Sequence, residues 1–147
     1  MIKSPLPEST ALLKKVEQCL GPNRAPLLIA IDGADGVGKS SLASWLAWQL
    51  GAPAIYLDLF VIKDSKPLRW RGELLCLVHA RLVVHAGPLI VEGILVLDAL
   101  AQIGRKPDFL VYVDGQGGHG LSNRLAEYRV RFKPEQQAHF RLQGFVE

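Results

Sequence analysis

The sequence predicts an α/β fold: three layers, α/β/α, around a mainly parallel sheet of four to five strands. Three observations predict it. Short apolar runs bounded by turn residues recur at 27–31 (LLIAI), 54–58 (AIYLD), 89–93 (LIVEG) and 108–114 (DFLVYVD). Continuous runs of this length are what strands buried on both faces require. Segments of helical character lie between them, so strand and helix alternate in right-handed βαβ units. A glycine-rich turn follows the first apolar run directly, at the end of a strand where such sheets bind ligands.

Each element has its own signal. Apolar residues at 12, 13, 16 and 20 give the first helix, with Ser9 or Thr10 as its N-cap and Gly21 as its stop. GPNRAP turns the chain into the first strand. A helix over 39–50 ends at Gly51, and another over 71–85 ends at Gly87-Pro88. A short helix over 95–103 and a polar, basic helix over 121–132 complete the pattern. KPEQQAHF, further on, is not strand-like.

The chain has 147 residues, enough for one domain spanning 1–147 with a real core. Apolar residues make up 49% and charged residues 21%, the composition of a globular protein rather than a disordered one. The formal charge of +3 is mild and its lysines and arginines are scattered until the C-terminal segment, so a nucleic-acid partner is not expected. Cys19 and Cys76 form no disulfide framework, CxxC pair or zinc signature. No run has the length of a signal peptide core or a membrane span, and a cytoplasmic protein is expected.

The stretch IAIDGADGVGKSS (29–41) carries the chemistry. Gly33, Gly38, Lys39 and Ser40 fit G-x-x-x-x-G-K-[ST], after a strand and before a helix, which is the context a P-loop needs. Its backbone N–H groups, from Gly33 through Ala34, Asp35, Gly36, Val37 and Gly38 to Ser41, can turn inward on phosphate oxygens. The start of the following helix adds its positive dipole end. Lys39 is placed for the β- and γ-phosphates and the Ser40 hydroxyl for Mg²⁺. ATP and Mg²⁺ are the expected ligands, in a P-loop NTPase fold. Gly115, Gly117 and Gly120 also fit G-x-G-x-x-G after a strand, but no later strand brings the acid a dinucleotide site needs, and a mobile loop is expected there.

Each predicted strand places an acid at or just past its carboxyl end: Asp32, Asp58, Glu92 and Asp114. Strand ends turn polar on reaching solvent in any case, but four on one rim suggest a site. Phosphotransfer needs a carboxylate near Mg²⁺ and a base for the acceptor hydroxyl. The pattern leaves Glu92 and Asp114 open for the first role, with Asp98 a weaker rival.

LLIAIDGADGVGKSSLA, YLDLF and PLIVEGILVLDAL, in that order, resemble the uridine kinase and phosphoribulokinase group of P-loop kinases. EGIL at 92–95 is the most distinctive match, and the resemblance spans roughly residues 27–114. It implies that Asp58 takes the proton of the acceptor hydroxyl and that Glu92 helps to organise Mg²⁺. Lys39 and Ser40 keep their P-loop roles, and Asp114 becomes a structural residue. The acceptor-enclosing region between Asp58 and Glu92 is shorter here than in uridine kinases. After Asp114 the family's arginine-rich lid is reduced to Arg124, Arg129 and Arg131, and the chain stops about where the family begins a fifth strand.

Arg69, Trp70 and Arg71 offer charge and a stacking face for an acceptor, or simply a solvated helix start with one anchoring tryptophan. Arg124, Arg129 and Arg131 suit a phosphate lid or a solvated face equally. Trp45 and Trp48 read as packing residues. His79, His85, His119 and His139 lack ligand spacing, so no metal other than Mg²⁺ is expected. Two functions fit: an ATP-dependent kinase acting on a small-molecule hydroxyl, most closely a nucleoside such as uridine, or a nucleotide-binding module with little or no transfer. A base at Asp58 favours the first. Oligomeric state is not legible.

Overall fold

The computed structural model describes residues 4–116 and 122–145. The apolar runs form β1 (Leu28–Gly33), β2 (Ala54–Tyr56), β3 (Leu89–Glu92) and β4 (Phe109–Asp114), and a fifth strand, β5, follows at Phe140–Gln143. All pairings are parallel and the order is β2-β3-β1-β4-β5. The helices are α1 (Ser9–Leu20), α2 (Lys39–Leu50), α3 (Glu73–His79), α4 (Val96–Gln102), α5 (Ser122–Phe132) and α6 (Pro134–Gln137).

Alternation along β1 sorts the core into two. Ile29 and Ile31 face α1 and α2, joining Leu12, Val16, Leu42 and Leu46. Leu28 and Ala30 face the opposite layer, joining Leu74, Val78, Val96, Leu100 and Tyr128 from α3, α4 and α5. Both faces of the sheet are therefore covered, which is why its strands read as unbroken apolar runs. No helix among the described residues is long and apolar enough to cross a membrane.

The structure departs from the sequence expectations in five places. β5 lies where no strand was expected: after the short helix α6, residues 140–143 pair with β4 at Val111, Tyr112, Val113 and Asp114. As an edge strand it buries only Leu142 of its four residues, so it lacks the apolar run that marks the others. β2 stops at Tyr56, and Leu57–Leu59 form a 3₁₀ turn, so Asp58 sits on a turn rather than on the strand. The 71–85 helix begins at Glu73 and changes to a π-helical stretch over Ala80–Val84. Neither Ser9 nor Thr10 caps α1; Glu8 precedes it, while the Ser9 hydroxyl exchanges hydrogen bonds with the backbone of Leu6. Of the two tryptophans on α2, Trp45 is buried and Trp48 is 63% exposed. Gly117, His119 and Gly120 lie outside the described residues.

Candidate active site

β1 delivers the glycine-rich loop, the predicted phosphate loop, to the centre of the sheet's carboxyl rim, with β3 on one side and β4 on the other. Two glycines make that placement possible. Gly33 has φ +149°, and a Cβ there would lie 2.6 Å from the Val113 carbonyl oxygen. A Cβ on Gly93, just past β3, would lie 2.7 Å from the Leu57 Cβ. The absence of both lets the loop lean on β4, and lets the turn carrying Asp58 pack against the strand carrying Glu92.

A cavity of about 240 Å³ opens here, lined by Asp35, Gly36, Gly38, Lys39, Ser40, Ser41, Asp58, Glu92, Gly93, Ile94 and Phe145. Sequence-predicted loop, base and metal-side carboxylate thus share one cleft. Lys39 is buried, its Nζ donating to the Ala34 carbonyl at 2.6 Å. Burial holds its pKa below that of a free lysine, against the pull of Glu92, Asp32, Asp35 and Asp58. The Ser40 hydroxyl donates to Glu92 Oε1 at 3.0 Å. Glu92 is 2% exposed, and that burial raises its pKa, opposed by the Ser40 hydrogen bond and by Lys39. Asp58 stands exposed on the other wall.

The donor set fits Mg²⁺ in kind. Ser40 and Glu92 offer hard oxygens in contact, and a buried carboxylate whose charge is penalised gains from a cation beside it. Among the described residues no cluster of three or more His, Cys, Asp or Glu could hold a metal alone.

The remaining acids of the rim serve elsewhere. Asp114 is held by Arg141 at 2.5 and 3.1 Å and does not line the cleft. Asp32 is 1% exposed: its Oδ1 accepts the Gly33 N–H at 2.8 Å and its Oδ2 the Tyr128 hydroxyl. Desolvation raises its pKa to about 6, although both hydrogen bonds and Lys39 favour the charged form.

The other predicted groups are not brought to the cleft. Arg124 reaches the Ser65 carbonyl at 3.4 Å, Arg129 pairs with Glu135 and Tyr112, and Arg131 lies 5.0 Å over the Phe132 ring. Trp70 is buried in the α3–α4–α5 core and bridges to Val61, Arg71 pairs with Glu73, and Arg69 lies outside the cavity lining. The expected Arg-Trp-Arg contact surface is thus divided between core and solvent.

Phe145 is a wall that sequence reasoning missed. Its N–H donates to the Val37 carbonyl at 3.0 Å, while the Gly144 N–H donates to the Asp114 carbonyl at 2.7 Å. Only the β5 register brings this segment to the loop, and no local motif announces it.

No family model matches the sequence, and no curated protein matches it. Among solved structures, a possible uridine kinase from Bacillus stearothermophilus superposes with a TM-score of 0.65 at 16% identity, over 92% of this chain and 97% of that one. A gluconokinase from Sinorhizobium meliloti 1021 gives 0.45 at 17% identity, over 84% and 86% of the two chains. A shikimate kinase from Bacteroides thetaiotaomicron gives 0.42 at 19%, over 80% and 86%. A five-stranded parallel sheet with helices on both faces gives the chain an α/β fold that it shares with the first of these.

Proposed function

We propose that the protein is an ATP-dependent phosphotransferase acting on a hydroxyl of a small molecule. The observation that carries this reading is the shared cleft, in which Lys39, Ser40, Asp58 and Glu92 face one cavity. The loop amides and Lys39 hold the triphosphate and take up charge as it moves to the β–γ bridge oxygen. Ser40 and Glu92 would hold Mg²⁺, which when bound would further neutralise the phosphate oxygens. The acceptor oxygen forms a bond to the γ-phosphorus and the bond to the β–γ bridge oxygen breaks. Asp58 accepts the hydroxyl proton, and ADP leaves. Little covalent work falls to the protein, so positioning and charge suffice.

A nucleoside such as uridine is the acceptor placed first. The YLDLF and EGIL stretches support it, and the neighbour with the same fold is described as a possible uridine kinase. One observation favours a nucleotide-binding module instead: Arg124, Arg129 and Arg131 make contacts away from the cleft. The test is ADP release with Mg·ATP and a panel of nucleosides, sugars and hydroxy acids. Release that depends on one acceptor supports the kinase. Saturable ATP binding with no acceptor-dependent release supports the module.

A further inference from the structure

A second cavity, of about 330 Å³, lies at the opposite end of β4 from the phosphate loop. Its lining includes Leu110, near the start of that strand, whereas the cleft lies past the carboxyl ends of β1 and β3. Leu97, Ala101, Leu110 and Phe132 give it an apolar body. Every charged group in the lining is basic: Arg105, Lys106 and Arg131.

Among the described residues none of these three has a carboxylate within ion-pairing distance, although Arg71, Arg129 and Arg141 do. Arg131 rests on the face of Phe132, so charge and apolar surface meet at one point of the wall. His139 is also part of the lining. Its Nδ1 accepts the Leu110 N–H at 2.9 Å, and its ring stacks on Phe109 at 5.4 Å. With Nδ1 occupied as an acceptor, the neutral ring carries its proton on Nε2. Gln137 donates one of its two amide N–H bonds to the Phe132 carbonyl.

From this we infer that the cavity is a binding site for an amphiphilic anion, a small molecule with an apolar body and a carboxylate or phosphate head. Apolar lining with a few convergent polar groups is the general form of a small-molecule site. Here the convergent groups carry one sign, so a neutral or cationic molecule of the same shape would leave them unmatched. The inference does not depend on the kinase reading, since none of these residues lines the cleft.

Octanoate, octan-1-ol and octylamine, titrated calorimetrically into the full chain, provide the test, because they share a tail and differ in the head. Saturable binding of octanoate, stronger than that of octanol and absent for octylamine, is expected. Arg105→Ala with Lys106→Ala should weaken octanoate roughly tenfold, two surface ion pairs within the range of their usual worth, and leave octanol unchanged. Ala101→Phe, at an exposed position on α4, fills the cavity with the charges intact and should abolish binding of both. Equal affinity for octanoate and octanol overturns the inference, as does octanoate binding that neither variant alters. So does the absence of saturable octanoate binding in the millimolar range. An unchanged thermal midpoint for each variant keeps loss of folding from imitating loss of the site.

Discussion

The Tyr128 hydroxyl donates to Asp32 Oδ2 at 2.5 Å while accepting the Leu97 N–H at 3.1 Å. One phenol thus joins α5 to the residue before the phosphate loop and to the first turn of α4, at a point where Tyr128 is 5% exposed. Burial together with the Asp32 charge pushes the phenol's pKa upward, so it stays a donor across the whole working range.

Tyr128→Phe removes this donor and leaves a buried carboxylate oxygen without its partner. The expected cost is about 1–3 kcal/mol of stability. It should be larger at pH 8, where Asp32 is ionised, than at pH 5. Denaturant melts of wild type and variant at both pH values measure the difference; an equal loss at the two would separate Tyr128 from the charge on Asp32.

Asp32 itself should make stability fall as pH rises. Its native pKa of about 6 lies above its unfolded value, so the native state binds more protons through that interval. The contribution is complete below about pH 4 and lost by the time pH passes about 6, on the order of 3 kcal/mol in all. Asp32→Asn cannot titrate, and its melts should lack this fall between pH 4 and 7. A variant with the same slope as wild type would place the titration elsewhere.

Lys39→Ala takes away the buried ammonium of the phosphate loop. Turnover should drop by about 10²–10³-fold, the usual cost of losing one preorganised charge-stabilising group. ATP affinity should fall with it. Titration of labelled nucleotide, with circular dichroism as a folding control, checks the binding half; normal affinity in a folded variant would argue against the cleft as the nucleotide site.

Asp58→Asn separates enzyme from binder. The amide keeps the size and the hydrogen bonding of the carboxylate but cannot accept the acceptor's proton. Rate with the best acceptor should fall by about 10²–10⁴-fold, with little change in nucleotide Kd. Initial rates and Kd measured on the same preparation give both numbers, and an unaltered rate removes Asp58 from the mechanism.

How much of this was legible in the sequence follows from how local each signal is. β1, β3 and β4 are buried on both faces and announce themselves as apolar runs, and the phosphate loop is a contiguous motif. Glu92 and Asp58 were legible through EGIL and YLD, and the cleft brings them together. β5 was not legible, because an edge strand that buries one residue in four has no period to read. Tyr128 and Phe145 escaped for a different reason. Each reaches its partner across the tertiary structure, and a tyrosine on a basic helix looks like any other until its partner is known.

The order of the sheet has a consequence for how the chain comes into being. Among the five strands β1 comes first in the chain, yet both its neighbours, β3 and β4, come later, and β2 pairs with β3 rather than with it. A nascent chain therefore carries the glycine-rich loop after β1 long before either ladder of β1 can hold it, and both of those pairings must wait for a distant segment. Such nonlocal closure is slow relative to helix formation. A ligand of the cleft cannot seed this process, for the cleft exists only once β1 lies beside β3 and Val37 meets Phe145. Such a ligand would act afterwards as a latch, drawing the finished chain away from the unfolded pool by mass action.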